Sequence, residues 1–236
     1  MNYEQFERMV NEREMNVARS FPALMKKVYT WMTLALVITG LTSWLIANSP
    51  ALMASLVGSP LVFVLMIAEI GLVVWLSARI HKMSLTTATL LFIAYSVLNG
   101  ITLSFIFLAY TAESITSTFF ITAGTFGAMS LFGIKTGKDL SGMGRFLMMA
   151  LIGLIIATVV NIFVGSTMLQ MIVSYVGVLV FVGLTAYDTQ RIRNMFLEAD
   201  EYDPDVQKYA VLGALTLYLD FINLFLYLLR IFGNRE

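Results

Sequence analysis

Cysteine is absent from the 236-residue chain, which excludes a disulfide framework, a thiolate metal site and a cysteine nucleophile, and leaves the redox compartment unmarked. Charge is scarce: Asp, Glu, Lys and Arg make up 13% of residues, against about 25% in soluble domains. Fifteen basic side chains balance fifteen acidic ones, so there is no basic excess for binding nucleic acid. No Pro/Gly/Ser-rich linker, low-complexity stretch or internal repeat divides the chain. The single histidine, His81, sits at the end of an apolar run and reads as an interfacial residue. A secretory signal is not expected, because residues 1–27 mix Glu4, Glu7, Glu12 and Glu14 with Arg8, Arg13, Arg19, Lys26 and Lys27. The first apolar run is therefore expected to stay as an anchor.

What the chain has is hydrophobic length. Residues of apolar type make up 58% of it, gathered in runs near 28–48, 58–80, 84–110, 115–134, 145–165, 169–190 and 208–231. Each run approaches the roughly 20 residues that cross the hydrocarbon layer as helix. Continuous apolarity without period-two alternation argues against a β-barrel. Short breaks such as Asn48-Ser49-Pro50 and Gly165-Ser166-Thr167 favour antiparallel neighbours. The reading is an all-α integral membrane protein with seven transmembrane helices, divided into an N-terminal segment 1–27 and a single membrane domain 28–236. The fifteen methionines and the aromatic residues, Trp31, Trp44 and Trp75 among them, read as packing and interfacial anchoring. Gly133 and Gly137 form a Gly-x-x-x-Gly spacing at a span end, a weak helix-packing signal.

The basic residues orient the bundle. Five precede the first run; Arg79 and Lys82 lie at the second break, Lys135, Lys138 and Arg145 at the fourth, and Arg191, Arg193 and Lys208 at the sixth. The first, third and fifth breaks hold none. That alternation predicts a cytoplasmic N-terminus. Seven crossings then place Arg230 and Arg235 on the opposite side, a poor fit for which a re-entrant last segment is the alternative.

Three acids fall inside apolar runs: Glu69, Asp188 and Asp220. A carboxylate near the bilayer centre costs about 2.5–3.5 kcal/mol on insertion scales, so it must face water, a partner or another carboxyl group, or stay protonated. Such residues mark an ion pathway or a sensor, or else a neutral acid holding two helices together. Asp188 and Asp220 lie on consecutive runs, and two carboxyl groups in a poorly hydrated site cannot both ionise cheaply, so they titrate as a unit. Arg79 is the candidate counter-charge. The aspartates are also the candidate ligands for Ca²⁺, which takes carboxylate and carbonyl oxygens in flexible geometry. Glu69 lies about 15 Å further into the membrane than Arg79, and Asn99, Asn161 and Asn223 are candidates to extend a polar line inward. The acidic group Glu198, Asp200, Glu201, Asp203 and Asp205 lacks the spacing and central glycine of a calcium-binding loop and reads as a solvated face.

Gly183-Leu184-Thr185-Ala186-Tyr187-Asp188-Thr189-Gln190 and Leu217-Tyr218-Leu219-Asp220-Phe221-Ile222-Asn223-Leu224-Phe225 closely resemble motifs of the transmembrane Bax inhibitor motif family, the Bax inhibitor-1 family. Asn99-Gly100-Ile101-Thr102-Leu103 and Lys138-Asp139-Leu140 add to the resemblance, which covers the chain from the first run onward. It implies seven helices with the last packed inside a bundle of the other six. It also implies a pH-sensitive calcium leak channel, in which Asp188 and Asp220 form the pH sensor, Arg79 the latch and Glu69 a further acid of the second helix. Calcium would be the transported ion, with no tightly bound cofactor; the partners would be the lipid bilayer and a membrane-bound quality-control protease. A bacterial inner membrane is the expected location. Two other classes compete. A non-conducting membrane interaction protein would use the acids only to lock packing. An intramembrane aspartyl protease would need Gly-x-Gly-Asp at its second aspartate, where this chain has Leu217-Tyr218-Leu219-Asp220, and an enzyme is not expected.

Overall fold

The fold is taken from a computed structural model, which describes residues 3–198 and 205–234, the side chains of 3–20 and of Glu198 excepted. Nine α-helices are present among the described residues: α1 Tyr3–Ala47, α2 Pro50–Leu56, α3 Leu61–Arg79, α4 Leu85–Leu103, α5 Ile106–Ala109, α6 Ala112–Lys135, α7 Ser141–Val164, α8 Thr167–Glu198 and α9 Val206–Phe232. Seven stretches are long and apolar enough to cross a membrane: Phe21–Ala47, Leu61–Lys82, Leu85–Ala109, Ala112–Lys135, Ser141–Val164, Thr167–Leu197 and Val206–Phe232. Helix is the natural solution for these runs, because in lipid every backbone polar group must be satisfied within its own segment.

Two details differ from the sequence reading. The first break holds a short helix, α2, led by Pro50 in the first turn, where its missing N–H costs nothing. The third run is interrupted between α4 and α5, where the Ser104 N–H is shared between the Gly100 and Ile101 carbonyls. The first apolar span also begins earlier than expected, at Phe21, and is continuous with the charged N-terminal helix.

Helix ends follow local chemistry. Ser84 and Thr111 cap α4 and α6, each accepting the N–H three residues on. Gly165 closes α7 at φ +66°, a conformation that other residues rarely adopt. One end of the bundle gathers the basic residues: Lys27 Nζ donates to Gln207 Oε1 at 2.8 Å, and Lys208 Nζ lies 3.5 Å from the His81 carbonyl. At the other end the Thr111 N–H donates to the Asn234 carbonyl at 3.2 Å, and the Asn234 N–H donates to Ser114 Oγ at 3.0 Å. The last helix is unbroken and joins these two ends, so it crosses fully and is not re-entrant.

The last helix is the axis of packing. α9 lies against α8, α1, α6 and α4, and its residues Ala214, Leu217, Tyr218 and Leu224 are fully buried. Small residues allow the close approaches. A side chain at Gly100 would meet the Thr39 carbonyl and Thr42 of α1, and one at Gly133 would meet the Ala186 carbonyl of α8. Gly137, by contrast, faces open space, so the Gly-x-x-x-Gly pair acts through one member only.

Candidate functional site

Asp188 and Asp220 are buried, 8% and 5% exposed respectively. α8 and α9 pack side by side, which brings the two carboxyl groups within electrostatic reach of each other. They are joined by no hydrogen bond and no ion pair among the described residues. Asp220 lies deeper, and its Oδ2 is buried with no partner. Asp188 borders a cavity of about 240 Å³, shared with Ser77 of α3, Arg191, Ile192 and Met195 of α8, and Leu212, Gly213 and Thr216 of α9. Asp220 does not border this cavity. The cation acting on Asp188 is Arg191, one helical turn further along α8. Arg79 is exposed at the end of α3 and has no ion pair among the described residues. Ser77, two residues before it, reaches the cavity.

A second polar group occupies the middle of the bundle. Glu69 is half-buried and accepts a hydrogen bond from Thr102 Oγ1 at 2.9 Å, with the Asn99 side chain also in hydrogen-bonding reach. Asn99 Oδ1 lies 3.0 Å from the Tyr218 hydroxyl, which lies 2.7 Å from Thr39 Oγ1; Thr39 Oγ1 in turn lies 2.9 Å from the Ser96 carbonyl. This network ties α3, α4, α9 and α1 together. Of the three asparagines expected to extend a polar line, only Asn99 joins it. Asn161 Oδ1 accepts the Ser166 N–H after α7, and Asn223 Nδ2 donates to the Leu219 carbonyl of its own helix. Sequence reasoning did not single out Tyr218 or Thr39. A tyrosine and a threonine inside apolar spans were the available signal, since a buried hydroxyl needs a partner.

The recurrent motifs interlock. Gln190 closes the α6–α7 connection: its Nε2 donates to the Lys138 carbonyl and its Oε1 accepts the Leu140 N–H, both at 2.8 Å. Between them Asp139 accepts the Ser141 N–H at 2.9 Å, and the Ser141 hydroxyl together with that N–H holds its carboxyl below the usual carboxylate range. Near the aspartates, the Thr189 and Ser130 hydroxyls lie 3.4 Å apart, with the Tyr29 hydroxyl close by. His81 meets the Tyr209 ring edge-on at 5.5 Å between centroids. Of the acidic group after α8, Asp205 pairs with Lys208 at 2.7 Å; Asp200, Glu201, Asp203 and the Glu198 side chain lie outside the described residues. Among the described residues no group of three His, Cys, Asp or Glu side chains is placed to hold a metal ion.

Residues 22–236 match the family described as inhibitor of apoptosis-promoting Bax1. The chain belongs to the Bax inhibitor-1 family. Within that family it is similar to the inner membrane protein YbhL of Escherichia coli strain K12, with 55% identity over 214 residues, 90% of this chain and 92% of YbhL. An uncharacterized protein of Rickettsia prowazekii is 44% identical over 212 residues, 90% of this chain and 89% of its own. One of Deinococcus radiodurans is 40% identical over 228 residues, 97% of this chain and 96% of its own.

Proposed function

We propose that this Bax inhibitor-1 protein is a pH-sensitive calcium leak channel of a bacterial inner membrane, its N-terminus cytoplasmic, gated by Asp188 and Asp220. The observation that carries the reading is the buried, unpartnered Asp220 carboxyl within electrostatic reach of Asp188, which itself borders a cavity shared with Ser77, Arg191 and Thr216. An acid so placed gains or loses a proton, or takes a cation, through the cavity and its neighbour. The similarity to an inner membrane protein supports the location, and the gathering of basic side chains at one end of the bundle supports the orientation.

In this reading Ca²⁺ is the transported ion and approaches the carboxyl oxygens from the cavity. Arg191 is the cation whose charge acts on Asp188 in this conformation. Arg79, beyond Ser77 at the cavity's edge, is the residue that comes to the pair when α3 swings inward, so the latch belongs to the movement of α3. Protonation of the aspartates weakens either arginine's hold, and acid increases flux. Glu69 continues the polar line toward the midplane.

The test is calcium uptake by liposomes containing the purified chain, measured from about pH 6 to about pH 8. Flux that rises toward acid in the wild type and loses that dependence in Asp220→Asn and Asp188→Asn is the expected outcome. Uptake no greater than in protein-free vesicles across the whole range sinks the channel reading. It leaves the non-conducting role, in which the pair locks helix packing and the surface serves a membrane partner such as a protease.

A further inference from the structure

The midplane network contains three hydroxyl contacts but only two hydroxyl protons. Thr39 Oγ1 sits 2.9 Å from the Ser96 carbonyl and 2.7 Å from the Tyr218 hydroxyl, and that hydroxyl sits 3.0 Å from Asn99 Oδ1. Thr39 and Tyr218 each carry one proton, so one contact always lacks a donor while Asn99 presents its oxygen. Two arrangements resolve the competition in opposite directions, one by giving up the Thr39–Ser96 bond and the other by turning the Asn99 amide. With Glu69 ionised, Thr39 donates to Tyr218, Tyr218 to Asn99 Oδ1, and Asn99 Nδ2 to the carboxylate. The Ser96 carbonyl then relies on its bond within α4. With Glu69 protonated, the carboxylic acid donates to Asn99 Oδ1, the turned amide donates through Nδ2 to Tyr218, Tyr218 donates to Thr39, and Thr39 to the Ser96 carbonyl. In the first arrangement the Thr39–Ser96 contact carries no proton; in the second every contact of the row has a donor. The side-chain amide is the only member with a donor on one side and an acceptor on the other, so its orientation sets the direction.

We propose that Glu69, Asn99, Tyr218 and Thr39 form a proton-driven switch, distinct from the aspartate pair, in which protonation of Glu69 turns the Asn99 amide and reverses the hydrogen-bond chain that ends on α1. No heavy-atom bond is made or broken: the carboxylate takes one proton from water, and each hydroxyl keeps its own while rotating. Thr102 Oγ1 lies 2.9 Å from Glu69 Oε1 and 3.0 Å from the Asn99 carbonyl, so its one proton is shared between the carboxyl and its own helix. The titratable groups facing Glu69 are Tyr95 of α4 and Tyr218 of α9, and no basic side chain is paired with it among the described residues. The switch has a mechanical consequence. α3 rests chiefly on α4, and Glu69 supplies its polar attachment there. An ionised acceptor holds roughly twice as strongly as a neutral one. Acid therefore loosens α3 and at the same time re-aims the Tyr218 hydroxyl on the central helix. This goes beyond the conduction reading, since it needs a proton at Glu69 but no ion crossing the membrane.

The test is pH-difference infrared spectroscopy of the full chain in lipid nanodiscs, with ring-deuterated tyrosine to assign the phenol modes, from about pH 5 to about pH 9. In the wild type a protonated-carboxyl band disappears as pH rises, and one tyrosine C–O mode shifts with the same midpoint. Glu69→Gln, a mimic of the protonated acid, removes that band and fixes the tyrosine mode at its acid position at every pH. Tyr218→Phe keeps the carboxyl band and deletes the shifting tyrosine mode, while Asn99→Leu keeps the band and abolishes the shift. Asp188→Asn and Asp220→Asn leave the tyrosine shift intact. A tyrosine mode that still titrates in Glu69→Gln overturns the switch, and so does the absence of any carboxyl band that Glu69→Gln removes. Because the spectra need no flux, loss of the switch and loss of conduction are read separately.

Discussion

α3 and α9 are both membrane-length helices, yet 6% of the most apolar stretch of one is buried inside the protein and 67% of the other. In water the more buried helix would be the more apolar. Here α3 is made almost wholly of aliphatic and aromatic residues and turns Phe63, Ile67, Ile70 and Val74 outward, with Leu76 its one buried residue within Leu61–Arg79. α9 carries Thr216, Tyr218, Asp220 and Asn223, and it is the centre of the bundle. Lipid is as apolar as leucine, so nothing drives an aliphatic face away from it. Polar groups are what need the protein interior, because only there do they find partners. A helix that carries polar groups on several faces is therefore one that others surround, and α3, apolar apart from Glu69, Ser77 and Arg79, is left at the periphery.

This contrast can be broken by matched truncations. Leu224→Ala, at a fully buried position of α9, should lower stability by about 2–5 kcal/mol, whereas Ile70→Ala on the lipid face of α3 should stay within about 0.5 kcal/mol. Reversible unfolding in mixed micelles measures both, and equal losses would refute the central placement of α9. A smaller effect is expected at the glycines. Gly133→Ala forces a methyl group against the Ala186 carbonyl and should cost about 1–3 kcal/mol. Gly71→Ala on α3 meets nothing within 4 Å and should stabilise the helix by up to about 1 kcal/mol. The Gln190 clasp sharpens the comparison further. Gln190→Leu leaves the Lys138 carbonyl and the Leu140 N–H unpaired, at about 1–2 kcal/mol. Hydrogen exchange should show the loss confined to the α6–α7 connection, leaving α3 unchanged.

Most of the span pattern was legible because hydropathy and span length are local properties. The seven runs were located within several residues, whereas the contacts that join the ends, Lys27 with Gln207 and Thr111 with Asn234, come from the structure alone. The short helix α2 and the interruption before α5 were not legible, because the neighbouring Gly58 and Gly100 do not by themselves say where a helix stops and restarts. Within the site, Asp188 and Asp220 stood out as acids in apolar runs. The structure adds the geometry that spacing cannot supply: Asp188 at a cavity, Asp220 buried without a partner, and Arg191 rather than Arg79 as the cation acting on Asp188. The three asparagines looked equivalent in sequence and are not. Two satisfy their own helix ends or turns, a choice made by backbone neighbours a few residues away.

By itself the sequence determined that this chain lives in lipid as seven helices, because backbone hydrogen bonding in a medium without water leaves a long apolar run no other structure. It also determined which three acids would have to justify their place there. Only the tertiary structure decided which partners they have. The Glu69 network joins residues 33, 119 and 179 positions apart, and no local pattern links such positions. They meet because helix packing in a bilayer is settled by small residues that let backbones approach and by polar atoms that must find one another.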